Sequence, residues 1–446
     1  MLPITCVPET IAKGMESFRK IFYRVEGFEH VCRFITGLIL SPNKTLQGIY
    51  DVQVWEGEVP SRRAMHEAVF ESGWDSAALI QHHRTEVAQA YRGRGRQVIS
   101  LDWTLSHHER GPKIYAVTQG YAYVERRTTL FQTVVTAVVS NSEWIDGLEI
   151  VAQDPNDLKA EEAYLRATAK ESYDQMAELQ RRLLELLHYH IHQLKYRKRT
   201  EIAVEIVRQL EAEGQFPQAH YAFDNGVLTL ELTRLIESCG KHWVSEVEVS
   251  RPIQWQGRWR RMGEVAAELR HHHPESFRKV EVSCRNGEEK VFLAFTKVVR
   301  LKRYGRKRLV IVHEREDLTD APRFLLTDAL HWEGGRVIQT WSYRWASEVF
   351  HEFGKQVCGL ESAQVRKEEA VTRHFRLSCV AQSLIQRAPV AESKSERYAF
   401  AAGRKTYGQK CRAIGREVLR SLLELSKRYF AEGKSGDEVL EVLMPA

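Results

Sequence analysis

Residues 98–104, VISLDWT, set one carboxylate inside a run that otherwise has the composition of an interior strand. Val, Ile and Thr favour extended backbone, and a short apolar run bounded by polar residues suits a strand buried on both faces. A charge in such surroundings is costly unless a cation or a set of hydrogen bonds meets it. Asp102 therefore marks either a place of chemistry or a local cap. Asp224 raises the same choice, following the strand-like residues 220–223 and preceding Asn225-Gly226. Its plainer role is to cap the helical pattern over residues 227–238. Glu348 lies on a third element, a helical pattern over residues 341–357. Positions 102, 224 and 348 are too far apart in the chain for local structure to link them.

With 446 residues the chain is long enough for two to four domains and a sizeable core. A hydrophobic content of 43% indicates a globular chain rather than a disordered one. No apolar stretch approaches the ~18–20 residues of a membrane helix. The first twenty residues lack the pattern of a signal peptide, so a cytoplasmic chain is expected. Seven cysteines with no CxxC pair suit free thiols in a reducing compartment. The net charge is +6, which alone says little about partners. Clustering says more. Residues 295–308 hold Lys297, Arg300, Lys302, Arg303, Arg306, Lys307 and Arg308 and no acid. Smaller clusters at 91–96, 195–199, 258–261 and 404–412 extend the case for a phosphate-binding surface.

Along the chain, residues 1–94 read as helical. Apolar residues over 11–39 recur at helical spacing, and Ser41-Pro42-Asn43 ends that run. Residues 62–70 and 75–82 read as two short helices, either a helix-turn-helix or an ordinary helical hairpin. Strand patterns follow at 98–104, 114–124 and 128–140, then helices at 157–194 and 201–213. A strand at 220–223, a helix at 227–238 and a strand at 243–249 complete a series. Three strands, helix, strand, helix, strand is an order that resembles a ribonuclease-H-like α/β domain. Residues 250–336 are strand-rich, with Arg285-Asn286-Gly287-Glu288 as a hairpin turn. Helices return at 341–357, 367–386 and 404–430. The expected organisation is a helical DNA-binding domain (1–94), a catalytic domain in two parts (95–249 and 337–390), a β-rich insertion between them (250–336) and a helical C-terminal region (391–446).

Phosphodiester transfer assisted by two divalent metals needs carboxylates gathered from separate chain segments, because the ions sit ~3.5–4 Å apart. Mg²⁺ prefers hard oxygen ligands and keeps several waters, so few carboxylates suffice. The spacing Trp341-x2-Arg344-x3-Glu348-x6-Lys355 resembles the Tyr-x2-Arg-x3-Glu-x6-Lys signature of bacterial DDE transposases. Residues 358–366, Arg373-His374 and Leu101-Asp102-Trp103-Thr104 are similar to that family as well. The branch resembled is the insertion-sequence four and seven-oh-one type, with a β-domain inserted before the glutamate. Trp341 stands where the family has tyrosine.

The resemblance, over residues 95–390, implies a ribonuclease-H-like catalytic domain. Asp102, Asp224 and Glu348 would be catalytic and would hold Mg²⁺, for which Mn²⁺ can substitute. Arg344 and Lys355 would hold phosphates, and Trp345 would stack on a base near the cut. Lys297, Arg300, Lys302, Arg303, Arg306, Lys307 and Arg308 are expected to bind DNA. The implied activity is cleavage at terminal inverted repeats and strand transfer into target duplex, by a homodimer in a synaptic complex. The alternatives are a transposase-derived DNA-binding protein without catalysis, and a nuclease that cuts without joining.

Other signals are weaker. His188, His190 and His192 alternate so that a helix presents only two of them on one face, and no nearby group completes a zinc site. His271–His273 before Pro274 reads as a loop, and His107-His108 lie near Asp102 in sequence. No Walker loop, dinucleotide fingerprint or GxSxG elbow is present.

Overall fold

The computed structural model of the chain describes residues 2–123, 125–154, 183, 196–285, 287–390 and 405–444. The expected 157–194 helix, with its three histidines, lies outside the described residues apart from Leu183, which is helical.

The N-terminal helices are α1 (Glu9–Met15), α2 (Val25–Leu40), α3 (Leu46–Asp51), α4 (Arg62–His66) and α5 (Ser76–Tyr91). The apolar run 11–39 is therefore not one helix. It passes through a 3₁₀ turn at Glu16–Ile21 before α2 begins. Ser41 ends α2 as expected. A π turn at Glu67–Glu71 continues α4, and the Asp75 carboxylate caps α5 by accepting from the Ala77 N–H. Leu79, Ile80, His83, Arg84, Val87 and Tyr91 of α5 are all buried, so one face of the second helix packs into the core.

Next come β1 (Val98–His108), β2 (Thr118–Ala122), β3 (Arg127–Ser140), β4 (Ile145–Ala152), α6 (Arg199–Glu213), β5 (His220–Phe223), α7 (Leu230–Ser238) and β6 (Trp243–Glu246). The segment after them holds β7 (Pro252–Trp255), β8 (Arg258–Arg261), α8 (Met262–His272), β9 (Arg278–Ser283), β10 (Glu289–Leu301), β11 (Gly305–His313) and β12 (Arg323–Thr327). The last elements are α9 (Gly334–Ser342), α10 (Trp345–Gln356), α11 (Glu368–Arg387), α12 (Tyr407–Ala431) and α13 (Gly436–Leu443).

The fold is mixed α/β, built on one sheet of twelve strands that is mostly antiparallel. Its main path runs β2-β3-β1-β5-β6-β12-β11-β10-β7-β8, with β4 also on β3 and β9 on β10. The parallel pairs are β1 with β5 and β5 with β6. β12 pairs directly with β6, so the strand-rich segment continues the sheet instead of forming a separate layer. One face packs under α6, α7 and α8. The other face is covered by the N-terminal helices with α10 and α11, and farther along by α9. Residues 1–94 thus share a core with the sheet. Among the described residues no helix is long and apolar enough to cross a membrane.

Four features depart from the sequence expectation. β4 was not anticipated, because Asp146, Gly147 and Glu149 interrupt its apolar alternation. α8 breaks an otherwise strand-rich segment, and His271 and His272 lie in its last turn rather than in a loop. The expected 341–357 helix is divided at Tyr343-Arg344 into α9 and α10. α13 follows α12 after a short turn.

Arg84 joins these layers. Its guanidinium, fully buried, lies 3.1 Å from Glu149 on β4 and 2.5 Å from Glu213 on α6. Removing one partner of a buried ion pair leaves an uncompensated charge, at a cost of about 3–5 kcal/mol. Arg84→Ala is accordingly expected to lower the unfolding free energy by about that much. Denaturant titration followed by circular dichroism measures it.

Candidate active site

The parallel register of β1 and β5 pairs Leu101 with Phe223. Asp102 follows Leu101 within β1 and Asp224 follows Phe223 just past the end of β5, so the two stand side by side where β5 stops and β1 runs on. Leu101 and Phe223 point into the core beneath α6 and α7. Strand alternation turns the two aspartates to the opposite face. Asp224 does not cap the following helix; the Thr229 hydroxyl does, by accepting from the Leu232 N–H. Asp224 Oδ1 instead accepts the Gly226 N–H at 2.9 Å, which folds the Asp-Asn-Gly turn back on itself.

Helix α10 brings Glu348 to the same place. Two buried hydrogen bonds hold the helix against the sheet. Ser347 Oγ donates to Ser100 Oγ at 2.6 Å, and His351 Nε2 lies 2.7 Å from Thr136 Oγ1. Ser100 is two residues before Asp102, and Ser347 adjoins Glu348. Burial depresses the His351 imidazole to about 3, so the ring is neutral. Gly147 on β4 completes the seat: a Cβ there would lie 2.5 Å from the Phe350 ring.

Arg344 lies between the carboxylates. Its Nη2 donates to Glu348 Oε1 at 2.6 Å, and its Nη1 is 3.6 Å from Asp102 Oδ2. Trp341 lies with its ring 5.5 Å from the same guanidinium, within cation–π range. Tyr343 is buried against Val98 and Ala222, away from the carboxylates. Asp102 is raised to about 7, by burial first and then by the charge of Asp224, with a smaller push from Glu348. The Trp103 N–H and Arg344 offset only part of this.

The donor set is the kind a hard divalent cation prefers: carboxylate oxygens whose mutual repulsion a cation relieves. The side chains are not closed around such an ion. Among the described residues no three His, Cys, Asp or Glu side chains are grouped to hold a metal, and the Arg344 guanidinium bridges Asp102 and Glu348. Asp102, Asp224 and Glu348 fit the chemistry of Mg²⁺ ligands, with Arg344 taking the neutralising role in this conformation.

The remaining expected site residues are distributed as follows. Trp345 begins α10 and is 57% exposed, so it is no core tryptophan. Lys355, in the last turn of α10, lies 3.6 Å from Glu361. Lys297, Arg300, Lys302, Arg303 and Arg306 are exposed on or between β10 and β11. Two members of that cluster are committed inside the protein. Lys307 is buried and lies 3.1 Å from Glu237. Arg308 donates to the Leu330 carbonyl and, at 3.1 Å, to the Thr296 hydroxyl. His107 and His108 lie farther along β1, at roughly 3.3 Å per residue, and pair with Glu125 and Gln132. Ser100, Thr136, Ser347 and His351 position the site, yet nothing in their sequence context singled them out. Compared with known proteins, the chain matches no family model and no curated protein.

The raised Asp102 carboxyl has a stability consequence. Its folded value of about 7 lies above the ordinary aspartate value of 3.8, so its contribution to stability is full below pH ~4 and is lost as pH rises through about 7. Asp102→Asn removes that loss. The variant is expected to be more stable than the parent above pH 7, by up to about 4 kcal/mol of unfolding free energy at 1.36 kcal/mol per pKa unit, and so to melt at a higher temperature. The gap should close toward pH 4. Thermal melts of both proteins across pH 4–8 test this.

Proposed function

We propose that this chain is a DDE transposase, a Mg²⁺- or Mn²⁺-dependent enzyme that nicks duplex DNA at the terminal inverted repeats of a mobile element and joins the freed ends to target DNA. The supporting observation is the meeting of Asp102, Asp224 and Glu348 from two adjoining parallel strands and one docked helix, with Arg344 between them. The sheet path adds support. β4, β3, β1, β5 and β6 lie side by side with β5 and β6 parallel to β1, an order that a ribonuclease-H-like reading calls for. Strands β7–β12 fall in the chain between that unit and Glu348, where the family carries its insertion.

Asp102, Asp224 and Glu348 would hold the metal ions. When bound, the ions supply Lewis-acid stabilisation of charge on the transferring phosphate. Arg344 is placed to exchange its carboxylate partners for phosphate oxygens, because a guanidinium pairs with either through parallel hydrogen bonds. Lys355 adds a point charge on the same helix. Trp345 offers an exposed indole face to an unstacked base. Ser347 and His351 keep α10 seated while Arg344 moves. Two element ends must be cut together, so a homodimer in a synaptic complex is the working form, in the bacterial cytoplasm.

One observation favours instead a DNA-binding protein of the same ancestry that does not catalyse: the carboxylates are bridged by Arg344 and not grouped around a metal position. Incubation of labelled element-end duplex with the protein and Mg²⁺ separates the two. Nicked and joined products are expected, and Asp102→Ala, Asp224→Ala and Glu348→Ala should each lose about 10³-fold or more, as for groups that act as a unit. Duplex retained on a gel but never cut would select the non-catalytic protein. Nicks without joined products would select a nuclease.

A further inference from the structure

At the end of the sheet remote from β1, register pairs place four side chains in one row. Arg306 on β11 is opposite Arg300 on β10. Arg300 is opposite Gln254 on β7, and Gln254 is opposite Trp259 on β8. Directly paired residues share a face. Their strand neighbours Val299, Leu301, Ile253 and Trp255 are buried in the core on the other side. Arg300 and Arg306 are exposed and Trp259 is 44% exposed. Lys302, just beyond β10, holds its ammonium 5.6 Å from the Trp259 ring.

This row carries no acid. Glu237 and Glu268 pair on the opposite face, with Lys307 and Arg260. At ~4.8 Å between strands the row spans roughly 14 Å, about four steps of the 3.4 Å per-strand charge spacing of duplex DNA. It lies on the same face of the sheet as the catalytic acids. The rung next to Asp224 continues through Glu246, Leu325, Val310 and Thr296. Arg300 is four residues further along β10, roughly 13 Å along the strand direction and several strands across.

We propose that this row is a second nucleic-acid surface, one that holds the phosphate backbone of duplex DNA away from the point of cleavage. The proposal rests on the transposase reading above and extends it. Two segments that are separate in sequence, Trp259 on β8 and residues 300–306 of β10–β11, form one platform. Its cations are Arg300, Lys302 and Arg306, bounded by Trp259. Lys307 and Arg308 take no part. Phosphate contacts of this kind fix the position of the duplex and carry no sequence information. The surface therefore grips any duplex, whatever its sequence.

The test is the salt dependence of binding by the full-length protein to a random-sequence duplex. Each cation that displaces a counterion adds about 0.9 to the slope of log K against log salt. The variant R300Q/K302Q/R306Q should bind more weakly and show a slope smaller by about 2.7. The exposed, remote R428Q on α12 serves as the control and should leave the slope unchanged. Should the triple variant fold poorly, the single R306E variant carries the same test, with an expected loss of at least about 0.9. A parent that binds while the triple variant keeps its slope overturns this proposal and leaves the transposase assignment standing. A parent that binds no duplex at any salt concentration overturns both.

Discussion

Leu101 and Phe223 sit opposite one another on parallel strands, and the candidate site follows from that pairing. In a parallel pair the residues that follow one rung run in the same direction, so the next residue of β1 and the residue just past β5 emerge together. Here both are aspartates. Asp102 is buried and Asp224 stands beside it, and the cost of burial and of that neighbouring charge appears as the raised Asp102 group. Glu348 adds a third charge. The arrangement persists because the surroundings over-determine it. Leu101 and Phe223 are anchored in the core, Ser347 and His351 tie α10 to β1 and β3, and Arg344 neutralises part of the charge. A site that costs stability in this way is typical of function rather than of packing.

The rest of the molecule makes that geometry rigid. Because β12 pairs with β6, one sheet runs from the carboxylates to the basic end of the molecule. The N-terminal helices are part of the same body, with α5 clamped between the sheet and α11 through Arg84 and Arg376, both on Glu149. A contact made at the far edge of the sheet is therefore held at a fixed distance from Asp102 and Asp224. In the proposed transposase no hinge between separate domains would have to be set for the two to act on one duplex.

Much of this was legible in the residue order, and the failures have physical causes. The strand at 220–223 matched its pattern residue for residue, and α6, α11 and α12 lay close to expectation, since long periodic runs leave little choice. β4 escaped because Asp146 and Glu149 look like surface residues. They are buried only because Arg387 and Arg84 reach them from other elements. The break before α10 was hidden because residues 341–357 keep helical spacing through it. That break makes Arg344 the residue preceding the helix. The tethers Ser347–Ser100 and His351–Thr136 could not be read at all, as each joins residues that only the fold brings together.

The basic segment 295–308 shows why charge density along a chain is not charge density on a surface. On a strand, neighbours alternate between faces. Lys307 faces the core side next to Leu309, and burial there is tolerable only because Glu237 is within reach. Arg306, one residue earlier, emerges on the open side beside Arg300. Arg308 shares that side, yet it lies under the loop that leads to α9 and is consumed by the Leu330 carbonyl. Strand parity and the edge of the covering helix thus decide which cations remain available. They also explain why the available ones end up next to Trp259, a residue that no sequence window would have grouped with them.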